Sequence, residues 1–139
     1  LKEECLRCRR TGEPLSCISI DVDGLTKIND RFGHETGDLV LHRVASAVRQ
    51  RLRITDHFFR SDGDKFVVLA TDCNGPAALE MAEDLQTLAS QLELTKNQEH
   101  VPTSITTGIS TLQGNELKPD ALLASSVADL RQARRKAES

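Results

Sequence analysis

The residues of this chain with chemistry to offer are carboxylates placed where the backbone turns. Asp62 and Asp64 bracket Gly63 in the run Phe-Arg-Ser-Asp-Gly-Asp-Lys-Phe-Val-Val-Leu over 59–69. Asp21 and Asp23 stand where the apolar run 15–22 gives way to Gly24. Paired acids at a tight tip suit a hard cation or a phosphate-bound metal, although Asp and Gly are also the ordinary residues of a solvated turn. Arg53-Ile54-Thr55-Asp56 offers a bidentate cation beside an acceptor, against the plainer reading of an Arg favoured at a helix end. Cys5-Leu-Arg-Cys8 is a C-x-x-C with no second pair and no close His to complete a zinc set, so it reads as reduced structural thiols.

These residues need elements to hold them. Leu1 to Arg10 reads as a helix with Leu1, Cys5 and Cys8 on one side, stopped by Gly12 and Pro14. Leu15 to Val22 is β-branched and unbroken, the pattern of a buried strand, and it delivers Asp21 to its C-terminal end, where ligands bind in open sheets. A short helix over 24–31 and a loop over 32–37 follow. Asp38 begins an amphipathic helix whose Val40, Val44, Val48 and Leu52 recur every four residues, and residues 53–56 close it. The run 59–69 is a hairpin turning through 61–65. Pro76 opens a second long helix with Ala78, Met81, Leu85, Leu88 and Leu92 inward. The polar 93–100 reads as a loop, 103–111 as a strand, 113–116 as a turn, and Pro119 starts a last helix to about Lys136. Helix, strand, helix, helix, hairpin, helix, strand and helix make an α+β fold, with a central, mostly antiparallel sheet flanked by helices.

Composition narrows the function. A chain of 139 residues has room for one domain and one core. A net charge of −3 argues against capture of nucleic acid or an anionic membrane. Four Phe are its only aromatic residues, too few for base-stacking platforms, so no nucleic acid is expected. No stretch reaches membrane-spanning length and no leader pattern opens the chain. The expected location is cytoplasmic, or the cytosolic part of a membrane-anchored protein. A helix already under way at residue 1 suggests a single domain, 1–139, cut from a longer signalling polypeptide.

The run from Ile20 to Asp38, Ile-Asp-Val-Asp-Gly-Leu-Thr-Lys-Ile-Asn-Asp-Arg-Phe-Gly-His-Glu-Thr-Gly-Asp, resembles the D-x-D-x-F-K-x-x-N-D-x-x-G-H-x-x-G-D signature of the GGDEF domains of bacterial diguanylate cyclases. Arg60 to Phe66 is similar to that family's R-x-G-G-D/E-E-F, and Thr103 to Ser110 to its T-I-S-I-G-V strand. The likeness runs over nearly the whole chain. It implies a palm-like nucleotidyl-cyclase fold and an activity condensing two GTP into cyclic di-GMP. It also implies a Mg²⁺ site from Asp21, the Val22 carbonyl and Asp64, guanine recognition by Asn29 and Asp38, and a phosphate contact from Arg134. Arg53 and Asp56 stand in register with the family's R-x-x-D inhibitory site for cyclic di-GMP.

The departures fall on the chemistry. The turn reads Asp62-Gly63-Asp64-Lys65, so a side chain and a negative charge replace the family's first Gly. Lys65 replaces the Glu that would take the proton from the attacking hydroxyl, and an ammonium cannot do so. Leu25-Thr26 replaces Phe-Lys, and Glu138 stands where a second phosphate-binding Arg is expected. The resemblance therefore implies a degenerate domain, not active as an enzyme, that regulates or binds nucleotide, with GTP or cyclic di-GMP as ligands. Adjoining sensor or EAL domains and a homodimer are the implied partners. The alternatives are a weakly active cyclase and a docking scaffold that binds no nucleotide.

Overall fold

The structure is a computed structural model that describes residues 2–113 and 119–138. Helix α1 (Lys2–Thr11) leads into β1 (Leu15–Val22), then α2 (Leu25–Phe32) and α3 (His34–Arg51). The hairpin β2 (His57–Asp62) and β3 (Lys65–Thr71) is followed by α4 (Gly75–Ser90), a small ribbon β4 (Thr95–Lys96) and β5 (Glu99–His100), then β6 (Ile105–Leu112) and α5 (Pro119–Glu138). The main sheet has the order β2-β3-β1-β6, and every pairing in it is antiparallel. Leu1 and residues 114–118, which include 114–116 of the expected turn, lie outside the described residues, as do the side chains of Cys5 and Glu138.

Strand β1 is central and wholly buried, which is why apolar residues occupy both of its faces instead of alternating with exposed ones. Its even residues Ile18, Ile20 and Val22 join Phe66, Val68 and Ala70 of β3 beneath α2, α3 and α4. Its odd residues Leu15 and Cys17 meet Val67, Leu69, Leu122 of α5 and Cys8 of α1 on the other face. Asp21 continues the odd series, so its carboxylate belongs to the α5 side. Cys8, Cys17 and Cys73 are buried.

Three expectations need correction. The expected loop over 32–37 is a single break at Gly33, whose φ of 94° turns the chain sharply enough for α3 to begin at His34 rather than Asp38. Gly37 lies inside that helix and serves close approach, since a Cβ there would fall 1.7 Å from Asn29 Oδ1. The polar 93–100 contains the β4–β5 ribbon, turned by Asn97 and Gln98 at φ 53° and 67°. Strands of two exposed residues carry no hydrophobic alternation to read. Helix α3 ends at Arg51, and residues 53–56 form a separate turn in which Asp56 N–H donates to the Arg53 carbonyl at 3.0 Å.

Candidate functional site

The C-terminal end of β1, the hairpin tip and the last turns of α5 meet in one place. Val22 N–H donates to the Asp64 carbonyl at 3.1 Å, which ties the tip to the end of β1. Asp21 pairs in register with Lys65 across the β1–β3 ladder. The sequence-expected residues Asp21, Val22, Asp64 and Lys65 are thereby brought together. Arg134 joins them from α5, its Nη2 3.1 Å from Asp21 Oδ2 and 2.8 Å from Asp23 Oδ1.

The electrostatics are crowded. Asp21 is 9% exposed, and that burial raises its carboxyl above the usual range, opposed by the nearby Arg134 and reinforced by Asp64. Lys65 Nζ lies 3.4 Å from Asp64 Oδ1. A hard divalent cation suits the donor chemistry, with Asp21 Oδ1 buried and without a hydrogen-bond partner. Among the described residues, however, no three His, Cys, Asp or Glu side chains converge to hold a metal by themselves.

The turn spends its polar groups on its own side chains. Asp62 Oδ1 accepts from Gly63 N–H at 2.8 Å. Arg60 Nε donates to the Gly63 carbonyl at 2.8 Å, and its Nη2 reaches the same oxygen. The Gly63 amide is therefore already taken by the side chain of its own neighbour.

A groove of about 410 Å³ opens between α3 and the hairpin, lined by Asp38, Leu41, His42, Ala45, Arg49, Phe58, Arg60 and Phe66. Phe58 and Phe66 stack with centroids 5.3 Å apart, and the Arg49 guanidinium sits 5.2 Å above Phe58. Asn29 lies at the neighbouring turn of α2, its amide against Gly37, the residue before Asp38. Leu41, His42, Ala45 and Arg49 are absent from the sequence-derived set. Their spacing of three, four, seven and eleven from Asp38 puts them on one helix face, a signal that points to them.

Arg53 and Asp56 form a closed clip. Asp56 Oδ2 accepts from Arg53 N–H at 2.8 Å, and Oδ1 accepts from Arg53 Nη2 at 2.8 Å. The same Nη2 donates to the Thr71 carbonyl at 2.9 Å. The Asp56 side chain is 0% exposed and Arg53 is 44% exposed, so only the arginine presents a surface. The hydrogen bond to Asp56 holds the Arg53 guanidinium above its usual pKa, with the Asp56 charge adding to it and partial burial opposing it.

Asp23 plays a part that spacing does not announce. Ser104 Oγ and Thr106 Oγ1 donate to its two oxygens at 2.7 and 2.6 Å, and its N–H donates to the Ser104 carbonyl. It joins β1, the start of β6 and α5 at a single carboxylate.

Comparison with known proteins gives this geometry a context. The family model described as "Diguanylate cyclase, GGDEF domain" matches residues 1–139. The diguanylate cyclase DosC of Escherichia coli K12 is 36% identical over 132 residues, 92% of this chain and 27% of that protein. The chain thus spans about a quarter of the length of the curated relatives it matches. Among solved structures, the GGDEF domain of PA1120 (YfiN or TpbB) from Pseudomonas aeruginosa is 32% identical with a TM-score of 0.90, covering 98% of this chain and 85% of that one. The GGDEF domain of DgcB from Caulobacter crescentus, solved in complex with c-di-GMP, superposes with a TM-score of 0.92 over 98% of this chain and 81% of that one, at 20% identity, which speaks for the fold alone. No helix among the described residues is long and apolar enough to cross a membrane.

Proposed function

The chain belongs to the GGDEF-domain family of diguanylate cyclases, and from that premise we propose that it is a catalytically impaired member serving as a nucleotide-responsive module in cyclic di-GMP signalling. One observation carries the reading: each acid of the site already holds an internal cation, Lys65 on Asp64 and Arg134 on Asp21. Lys65 stands where a proton acceptor is needed and is itself a donor. Asp62 blocks the Gly63 amide that would cradle phosphate.

Binding is better preserved than turnover. Asp38 lines the groove, and Asn29 is seated beside it through Gly37. An amide and a carboxylate together can accept and donate along a guanine edge. Asp21, the Val22 carbonyl and Asp64 are the groups that would hold Mg²⁺, which when bound supplies neutralisation of triphosphate charge. At the clip, Arg53 is the group that would engage cyclic di-GMP, while Asp56 fixes its orientation. The groove also favours a second reading, a weakly active cyclase, because Asn29 and Asp38, the residues proposed to read guanine, both lie beside it.

The test is a GTP turnover assay by mass spectrometry, with calorimetry of cyclic di-GMP and of GTP–Mg²⁺. The expected result is no cyclic di-GMP formed, GTP binding weaker than about 100 μM, and cyclic di-GMP binding that Arg53→Ala abolishes. Clear product supports the weak cyclase. Failure of both nucleotides to bind supports a docking scaffold, and unchanged affinity in Arg53→Ala puts the ligand elsewhere.

A further inference from the structure

The Arg134 ion pairs are incomplete in a specific way. One guanidinium reaches two carboxylates, Asp21 at 3.1 Å and Asp23 at 2.8 Å, across a sequence separation of more than a hundred residues. Asp23 is held from elsewhere as well, by Ser104 and Thr106. Asp21 is not: its Oδ1 is buried with no partner, and Arg134 Nε is likewise buried with none. A buried charge pair usually persists only when its remaining donors and acceptors are satisfied. Here both members keep an unused polar atom, so Asp21 retains a capacity for positive charge that Arg134 does not fill.

We propose that Arg134 is the resident counter-cation of Asp21 and Asp23, and that it competes with a divalent cation for Asp21. Asp23, clamped by the two hydroxyls, is the anchor on which the guanidinium rests. Asp21 is the carboxylate over which the two cations compete. A guanidinium cannot lose its charge at any physiological pH, so the competition is set by geometry and cation concentration. The proposal concerns the same acids as the proposed function but does not depend on nucleotide binding or turnover.

The experiment uses nucleotide-free protein and Mn²⁺ alone, with free Mn²⁺ counted by electron paramagnetic resonance. Arg134→Met keeps the aliphatic bulk and removes the charge. It is expected to bind Mn²⁺ about tenfold or more tightly than the parent, as removal of a close competing charge should allow. Asp21→Asn is expected to abolish the gain when combined with Arg134→Met. The melting temperature of Arg134→Met should fall in chelator and recover with Mn²⁺, while that of the parent responds little. Equal Mn²⁺ affinity in parent and Arg134→Met overturns the proposal, as does Mn²⁺ binding that survives Asp21→Asn, or no binding in either protein. Should Arg134→Met fail to fold, the Arg134 Nε–H resonance of the parent decides. Its displacement by Mg²⁺ supports competition, and an unmoved resonance at high Mg²⁺ refutes it. Because no nucleotide is present, failure of the nucleotide reading leaves every one of these outcomes unchanged.

Discussion

Gly108→Ala tests how α5 is set against the sheet, and with it the placement of Arg134. Gly108 lies in β6 opposite Ser19 of β1, and α5 crosses directly over it. A Cβ at this position would fall 2.2 Å from Leu130 N, 2.2 Å from the Ser126 carbonyl oxygen and 2.6 Å from Leu130 Cα. All three are backbone atoms of the helix, so no side-chain rotation relieves them. Elsewhere in a strand, exchange of Gly for Ala would stabilise by roughly 0.5–1 kcal/mol. Here the helix must lift, straining the Asp129 carboxylate that accepts Ile109 N–H at 2.7 Å and the Ser126–Ser19 hydrogen bond of 2.8 Å.

Overpacking of this kind costs about 1–3 kcal/mol, and loss of one buried hydrogen bond adds about 1 kcal/mol. With about 4 °C per kcal/mol for a domain of this size, the melting temperature should fall by roughly 8–16 °C. Urea denaturation with an unchanged m-value measures the same loss as free energy. A variant that melts within about 2 °C of the parent would refute the close approach, since overpacking of even 1 kcal/mol shifts the transition by more.

Gly37→Ala should act in the opposite sense on stability, because the atom it meets is the Asn29 amide oxygen, the end of a side chain that can rotate away. The melting temperature should hold or rise, while GTP affinity by titration falls about fivefold, one hydrogen bond of about 1 kcal/mol; a melting temperature several degrees lower, or unaltered affinity, counts against this. Burial raises the Cys73 thiol above its ordinary pKa, so the native state holds that proton longer than the unfolded state. Its contribution is fully present below about pH 9 and is lost as pH rises through the folded value. Thermal melts across pH 8–11 should therefore fall less steeply for Cys73→Ala than for the parent, and identical slopes would dismiss the assignment.

How far the sequence discloses this site depends on the range of each contact. Strand β1 is legible from end to end because apolar residues recur on both of its faces with no breaker before Gly24, as burial on both faces requires. The hairpin is legible because Asp-Gly-Asp separates the pair Phe58-Phe59 from the apolar run that begins at Phe66. Gly33 and Gly37 look alike in sequence and do opposite things, one breaking a helix through its positive φ and the other admitting a neighbour inside one. Only the packing partner distinguishes them. The register of Arg53 and Asp56 against the hairpin is readable, but the full burial of Asp56 depends on a turn whose closure joins Thr71. The Asp23–Arg134 contact joins distant parts of the chain, and no periodicity reports it.

The exchange of an expected Glu for Lys65 is best understood through the charges around it. An acid at that position would face Asp21 across the ladder, close to Asp64, with three carboxylates gathered at one strand end. Like charges about 4 Å apart near a surface repel by roughly 4 kcal/mol before screening, which only a bound cation would relieve. Lys65 removes that demand by pairing with Asp64, and Arg134 removes most of the rest by pairing with Asp21 and Asp23. Arg60 and Asp62 meanwhile satisfy the turn between them. The hairpin tip is thus balanced by its own side chains. While Arg134 stays in place the tip has little reason to bind an external cation tightly, and the groove beside it carries polar groups of its own in Asp38, His42, Arg49 and Arg60.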